Sequence, residues 1–154
     1  MEQRITLTRS IAAPPSAVWA VLTDLESAPE TLRGVTAVER VDGGGEYRVG
    51  TRWRETRVMF GRSATEEMQV TESVPEQRTV ITAESGRARY RTVFELSPTA
   101  TGTDLTMDFS GDSGPLGAAA QLVMTLTGPL AKRATVKAMR QDLEDVAAAA
   151  ERSV

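Results

Sequence analysis

Residues 113–154 read SGPLGAAAQLVMTLTGPLAKRATVKAMRQDLEDVAAAAERSV, and after the opening turn this stretch carries two helix breakers, Gly128 and Pro129. Its apolar residues Leu116, Leu122, Val123, Leu126, Leu130, Val136, Met139, Leu143 and Val146 recur mostly at steps of three, four or seven. That spacing places them on one broad stripe of a single long helix. Gly128-Pro129 either kinks this helix or splits it, and a split would open an entrance to whatever lies beneath. A stripe this long needs a surface to lie on. The strands before it supply one, and a sheet curled around a long C-terminal helix leaves a space in which functional residues are expected.

Working back from that helix, the chain is punctuated at short intervals. Gln3–Ile11 alternates, with Ile5, Leu7, Arg9 and Ile11 on one face, as a half-buried strand does. Ala13-Pro14-Pro15-Ser16 stops it, and Pro15 suits the first turn of a helix. Two short helices are expected next, Ala17–Thr23 and Glu26–Arg33, with Pro29 tolerated only near the start of the second. Strands are then expected at Val35–Val41, Arg48–Phe60 (broken near Gly50), Arg62–Ser73, Arg78–Glu84, Ala88–Leu96 and Thr103–Phe109. The turns between them are short and rich in Gly and Pro, the signature of an antiparallel meander. The fold class is therefore α+β.

Composition narrows the chemistry. A chain of 154 residues is expected to form one domain spanning 1–154, and it buries roughly 70% of its unfolded surface, enough for a core and an internal cavity. With no Cys and no His, thiolate nucleophiles, disulfides, Cys/His metal sites and histidine-based triads are all excluded. No metal site and no cofactor are expected. A net charge of −3 and a pI near 5.1 argue against nucleic acid as a partner. The N-terminus lacks the apolar core of a signal peptide, and the longest apolar stretch is too interrupted for an integral membrane segment, so a cytoplasmic monomer or homodimer is expected. Gly43–Gly45 lacks the Lys-Ser/Thr of a phosphate loop.

Period-two alternation nominates the residues that face the long helix. Trp53, Glu55, Arg57 and Met59 share one face of their strand; Glu66 and Met68 share one face of the next. Tyr90 and Phe94 belong together further on, as do Leu105, Met107 and Phe109. Unpaired buried charge is costly, so Glu55, Arg57 and Glu66 on an apolar face require an account. Either the strand ends overhang the helix and these charges are solvated, or they line a cavity and pair there or bind a polar ligand group. Glu67, Asp104 and Asp108 fall on the opposite, solvent face. Trp19 is expected to anchor the first helix to the sheet.

The opening Ile11-Ala12-Ala13-Pro14-Pro15-Ser16-Ala17-Val18-Trp19-Ala20-Val21-Leu22-Thr23-Asp24 resembles the "I-x-A-P-x-x-V-W-x-x-L-x-D" start of the START-like, helix-grip superfamily, in its branch of polyketide cyclase/dehydrase and lipid-transport (SRPBCC) proteins. Val49-Gly50-Thr51-Arg52-Trp53, Thr71-Glu72-Ser73-Val74-Pro75 and Leu143-Glu144-Asp145 are similar to later phrases of that branch. The resemblance implies a seven-stranded antiparallel sheet gripping the last helix, with an apolar cavity between them. It also implies a small hydrophobic or amphipathic partner: a lipid, polyketide or aromatic metabolite. Trp53, Met59, Met68, Tyr90, Phe94 and Met107 would line the cavity, with Leu122 and Leu126 above and Glu55 beside Arg57 and Glu66. An alternative is a polyketide cyclase or dehydratase in which Arg57 stabilises an enolate and Tyr90 or Glu66 transfers a proton.

Overall fold

A computed structural model describes residues 2–59, 61–85, 88–112 and 118–154, with side chains 2–3, 59, 85 and 118–127 outside the description. Strand β1 (Glu2–Ile11) leads into helices α1 (Pro15–Thr23) and α2 (Ala28–Thr31). Six strands follow: β2 (Val35–Arg40), β3 (Arg52–Met59), β4 (Arg62–Val74), β5 (Arg78–Ser85), β6 (Ala88–Pro98) and β7 (Thr103–Asp112). Helix α3 (Ala118–Arg152) closes the chain. The seven strands form one antiparallel sheet in the order β1-β7-β6-β5-β4-β3-β2. The meander thus runs neighbour to neighbour from β2 to β7, and β1 adds to its far edge.

Local chemistry explains where the boundaries fall. Pro15 occupies the first turn of α1, where its missing N–H is no loss, and Ala17 and Val18 donate their N–H groups to Pro14 O. Helix α2 is shorter than expected. Leu32 is already extended, and the Arg33 N–H donates to Asp145 Oδ2 at 2.9 Å instead of continuing the helix. Strand β3 starts at Arg52 rather than Arg48. The preceding residues turn at Gly50, which has φ 95°, a conformation open to glycine, and donates its N–H to Val70 O. Thr51, buried in this turn, accepts the Arg48 N–H on its hydroxyl. A bulge between Val70 and Glu72 interrupts the β4–β5 ladder, and an extra residue in one strand bends a sheet.

Helix α3 runs unbroken through Gly128-Pro129, so the stretch is not split there. The expected helix start at Ser113 lies outside the described residues; the described helix begins at Ala118. The stripe Met139, Leu143, Val146, Ala147 and Ala150 is buried and packs with Ile5, Ile11, Val18, Leu96, Leu105 and Met107 in the main core cluster. Leu25, Trp53 and Val70, with Met68, Tyr47 and Ile81 around them, form a second cluster. Among the described residues, helix α3 lies closest to α1 and β1 and more lightly on β7.

Candidate ligand site

The register of the sheet sets the site. Trp53 pairs with Met68, Met68 with Ala83, Ala83 with Tyr90, and Tyr90 with Gly111, so these five form one transverse row. Two residues along β3, Glu55 stands opposite Glu66, and on the other side of the row Phe94 stands opposite Met107. The face they share is the one toward α3, because Arg57 on β3 pairs with Asp142 on the helix (Nη2–Oδ2 2.8 Å, Nη1–Oδ1 3.2 Å). Arg57 Nε also donates to Glu55 Oε2 at 3.1 Å. One guanidinium is thus forked between a strand carboxylate and a helix carboxylate, a geometry suited to arginine's fixed donors.

This polar group lies along β3 and β4 next to Trp53 and Met68 of the second cluster, with Asp142 reaching it from α3. Trp53 is buried in the second cluster, and its Nε1 has no hydrogen-bond partner among the described residues. Met107 is buried and Phe94 half-buried in the main one. Glu55, Arg57, Glu66, Met68 and Tyr90 are neither fully buried nor fully exposed, although α3 stands on their side of the sheet. Tyr90 stacks on Phe109 with ring centroids 5.7 Å apart and planes 16° apart. It can lie so low because residue 111 is glycine: a Cβ there would stand 2.9 Å from Tyr90 Cδ1.

The electrostatics follow from crowding carboxylates around one cation. Burial would lower the Arg57 pKa, but the charges of Asp142 and Glu55 outweigh it and hold the guanidinium above its ordinary value. Burial raises the Asp142 carboxyl, opposed by Arg57 and reinforced by Glu55 and Asp145. The Glu66 carboxyl is pushed up first by burial and then by Glu55 across the ladder, with Arg57 pulling the other way. Burial likewise raises the Tyr90 hydroxyl, and the Glu66 charge adds to it. Glu66 and Tyr90 therefore feel one another, and both are biased toward their neutral, proton-bearing forms.

Of the residues expected at the site, Trp53, Glu55, Arg57, Glu66, Met68, Tyr90, Phe94 and Met107 share the concave face. The side chains of Met59, Leu122 and Leu126 lie outside the described residues. Asp142 was not anticipated. It interrupts the apolar stripe between Met139 and Leu143, and a carboxylate on a buried helical face is the sign that a cation stands opposite. Glu67, Asp104 and Asp108 sit on the other face, paired with Arg52, Ser10 and Arg4. Trp19 is half-buried against the main cluster and meets Tyr47 edge-on, centroids 6.1 Å apart. Among the described residues, no group of three or more acidic side chains is placed to hold a metal ion, and no helix is long and apolar enough to cross a membrane.

Residues 2–151 match the family model described as "Polyketide cyclase / dehydrase and lipid transport". The chain belongs to this family. The polyketide cyclase/dehydrase and lipid transport assignment agrees with the architecture of solved structures. Zhui aromatase/cyclase from Streptomyces sp. R1128 is 16% identical, with a TM-score of 0.78 over 99% of this chain and 95% of that one. The di-domain aromatase/cyclase StfQ of the steffimycin biosynthetic pathway is 12% identical with a TM-score of 0.81; this chain is covered to 99% but spans only 52% of that one. A protein from Thermus thermophilus is 23% identical, with a TM-score of 0.70 over 97% of this chain and 99% of that one. At these identities the likeness is one of fold: a helix-grip architecture, with a seven-stranded sheet around a long C-terminal helix. No curated protein sequence matches the chain.

Proposed function

We propose that this family member binds a small hydrophobic or amphipathic molecule, such as a lipid, polyketide or aromatic metabolite, between the concave sheet face and α3. The observation that carries this reading is the partly exposed polar group Glu55–Arg57–Glu66 on the same sheet face as the apolar side chains Trp53, Met68, Tyr90 and Phe94. Apolar walls with a few convergent polar groups are the usual form of a small-molecule site. Met68, Tyr90 and Phe94 supply adaptable and flat apolar surface. Arg57, Glu66 and the unpartnered Trp53 Nε1 would orient a carbonyl or hydroxyl.

A direct test uses a Trp19→Phe background, in which Trp53 is the remaining tryptophan. Titration with neutral 2-naphthol should quench Trp53 fluorescence saturably, and native mass spectrometry of freshly purified protein should reveal a co-purified small molecule. Linear, non-saturating quenching together with a ligand-free mass spectrum would overturn the proposal.

A cyclase or dehydratase reading has one observation in its favour: Glu66 stands directly across the ladder from Glu55, the strand partner of Arg57, and on the same sheet face as Tyr90, with burial pushing its carboxyl up. In that reading Glu66 donates a proton to a leaving hydroxyl while Arg57 stabilises the enolate oxygen. Glu66→Gln would then abolish turnover of an aromatic poly-β-ketone substrate while leaving naphthol affinity within a factor of about two. A variant that turns over normally would remove Glu66 from the chemistry.

A further inference from the structure

We infer that a cleft on the flank of α3 beside Arg33 is a second site, built to hold a phosphate-bearing small molecule. The cleft has a volume of about 670 Å³; five cations (Arg33, Lys132, Arg133, Lys137 and Arg140) border it with Val136, Pro129 and Gln141, against one carboxylate, Glu144, which is turned toward Arg33. That volume falls within the range of small-molecule sites. Val136 is half-buried against the main core cluster and gives the cleft an apolar floor; the four α3 cations stand exposed around it.

The charge distribution is what a purely structural helix surface would avoid. The chain carries a net charge of −3, yet from Ser113 to Gln141 it contains no Asp or Glu, while Lys132, Arg133, Lys137 and Arg140 follow one another. Arg133 and Lys137 are four residues apart and Lys137 and Arg140 three apart, so they are neighbours on the helix surface and repel. None of the four makes an ion pair among the described residues. Several arginines elsewhere are matched, Arg4 with Asp108, Arg40 with Asp42 and Glu26, Arg52 with Glu67, Arg78 with Glu72 and Glu95, whereas unpaired cations cluster in one concavity only on this flank of α3 among the described residues. Even Arg33, at the rim, is held by Asp145 and Glu144 and so is positioned rather than free.

Several unpaired cations around one concavity call for a compact multivalent anion. Phosphate and pyrophosphate satisfy that: their oxygens accept bidentate guanidinium pairs, and ammonium groups add point charge. The concavity favours a soluble phosphate ester over a flat anionic bilayer. None of these side chains takes part in the site under the sheet, so the two sites stand or fall separately.

The test is titration of the ¹⁵N-labelled full chain with inorganic pyrophosphate in about 50 mM NaCl, where exposed charges are weakly screened. Saturable amide shifts are expected in residues 130–144 and at Arg33, weakening as salt is raised. Lys137→Gln/Arg140→Gln, both exposed and away from the core, should weaken binding about tenfold or more through loss of two charge-assisted contacts. Arg78→Gln, on a paired arginine elsewhere, should leave it unchanged, and naphthol quenching at Trp53 should persist in every variant. The inference is overturned by any of three results: absence of saturable shifts, equal weakening by Arg78→Gln, or unchanged affinity in the double variant. Co-sedimentation with phosphatidylglycerol vesicles without pyrophosphate binding would likewise replace the soluble ligand with a membrane surface.

Discussion

Replacing Arg57 by methionine tests whether its fork truly joins sheet to helix. The guanidinium holds Asp142 at 2.8 and 3.2 Å and Glu55 at 3.1 Å. The carboxylate side chains are only 10% and 12% exposed, against 27% for Arg57 itself. Removing the cation leaves two poorly solvated negative charges close together with no partner. Breaking a fully buried pair in this way costs about 3–5 kcal/mol; the partial exposure of Arg57 admits water, so a cost of about 3 kcal/mol is expected. For a domain of this size that lowers Tm by about 6–12 °C. Asp142→Leu should cost less, about 1.5 kcal/mol, because Arg57 keeps Glu55. In the double variant the losses should fall short of their sum by at least about 1 kcal/mol. The pH dependence has a definite sign. The Asp142 carboxyl is already raised above its ordinary value by burial, and losing Arg57 raises it further. A folded-state pKa above the unfolded one means stability is lost as pH rises through it, so the cost of Arg57→Met should shrink on going from neutral to acid pH. Urea denaturation followed by circular dichroism at both pH values measures all four corners of the cycle. Additive single losses within about 0.3 kcal/mol, with a pH-independent cost, would refute the coupling.

Three further outcomes follow from named contacts. Glu66→Gln should stabilise the protein at neutral pH by about 0.5 kcal/mol, since it removes a like charge directly opposite Glu55, and should have no effect near pH 3, where the carboxyl is protonated in both states; urea melts at the two pH values decide it. Gly111→Ala places a methyl 2.9 Å from Tyr90 Cδ1, so the ring must swing off Phe109 at a cost of about 1 kcal/mol, visible as a loss of near-UV circular dichroism. Gly102→Ala should be far worse, about 3 kcal/mol or more, because its Cβ would sit 2.0 Å from Ile11 O and 2.9 Å from Ala13 N, backbone that cannot turn aside. Equal losses for the two glycine variants in thermal melts would contradict this distinction between side-chain and backbone obstruction.

What was legible in the sequence was what repeats. Strand alternation and the helical stripe each draw on many residues, so the order of elements and the inward face of β3, β4 and β6 emerge even where ends are misjudged. The ends depend on single hydrogen bonds between distant residues. Asp145 captures the Arg33 N–H and stops α2; Gly50 reaches Val70 O and delays β3. Neither partner is near its target in the chain, so local propensity cannot find them. The site divides in the same way. Glu55, Arg57 and Glu66 are visible as charges on an apolar face, whereas Asp142 becomes meaningful only when α3 is laid across the sheet.

The placement of Asp142 also sets a limit on how closely α3 can seat over β3 and β4. A helix could bury a continuous apolar stripe against β3 and β4 only by stripping water from Arg57 and from three carboxylates: Glu55, Glu66 and Asp142. One guanidinium cannot satisfy three carboxylates, and Glu66 is the one without an ion pair among the described residues; burial first, and then the Glu55 charge, raises its carboxyl. Closing the interface over Glu66 would therefore bury an unpaired carboxyl, whereas leaving it half-exposed avoids that cost. The excess of acid over base on this face thus resists close packing of α3 against the β3–β6 region. In the proposed binding mode the same carboxyl would meet a hydroxyl or carbonyl of the guest, so one feature would both resist close packing and orient the ligand.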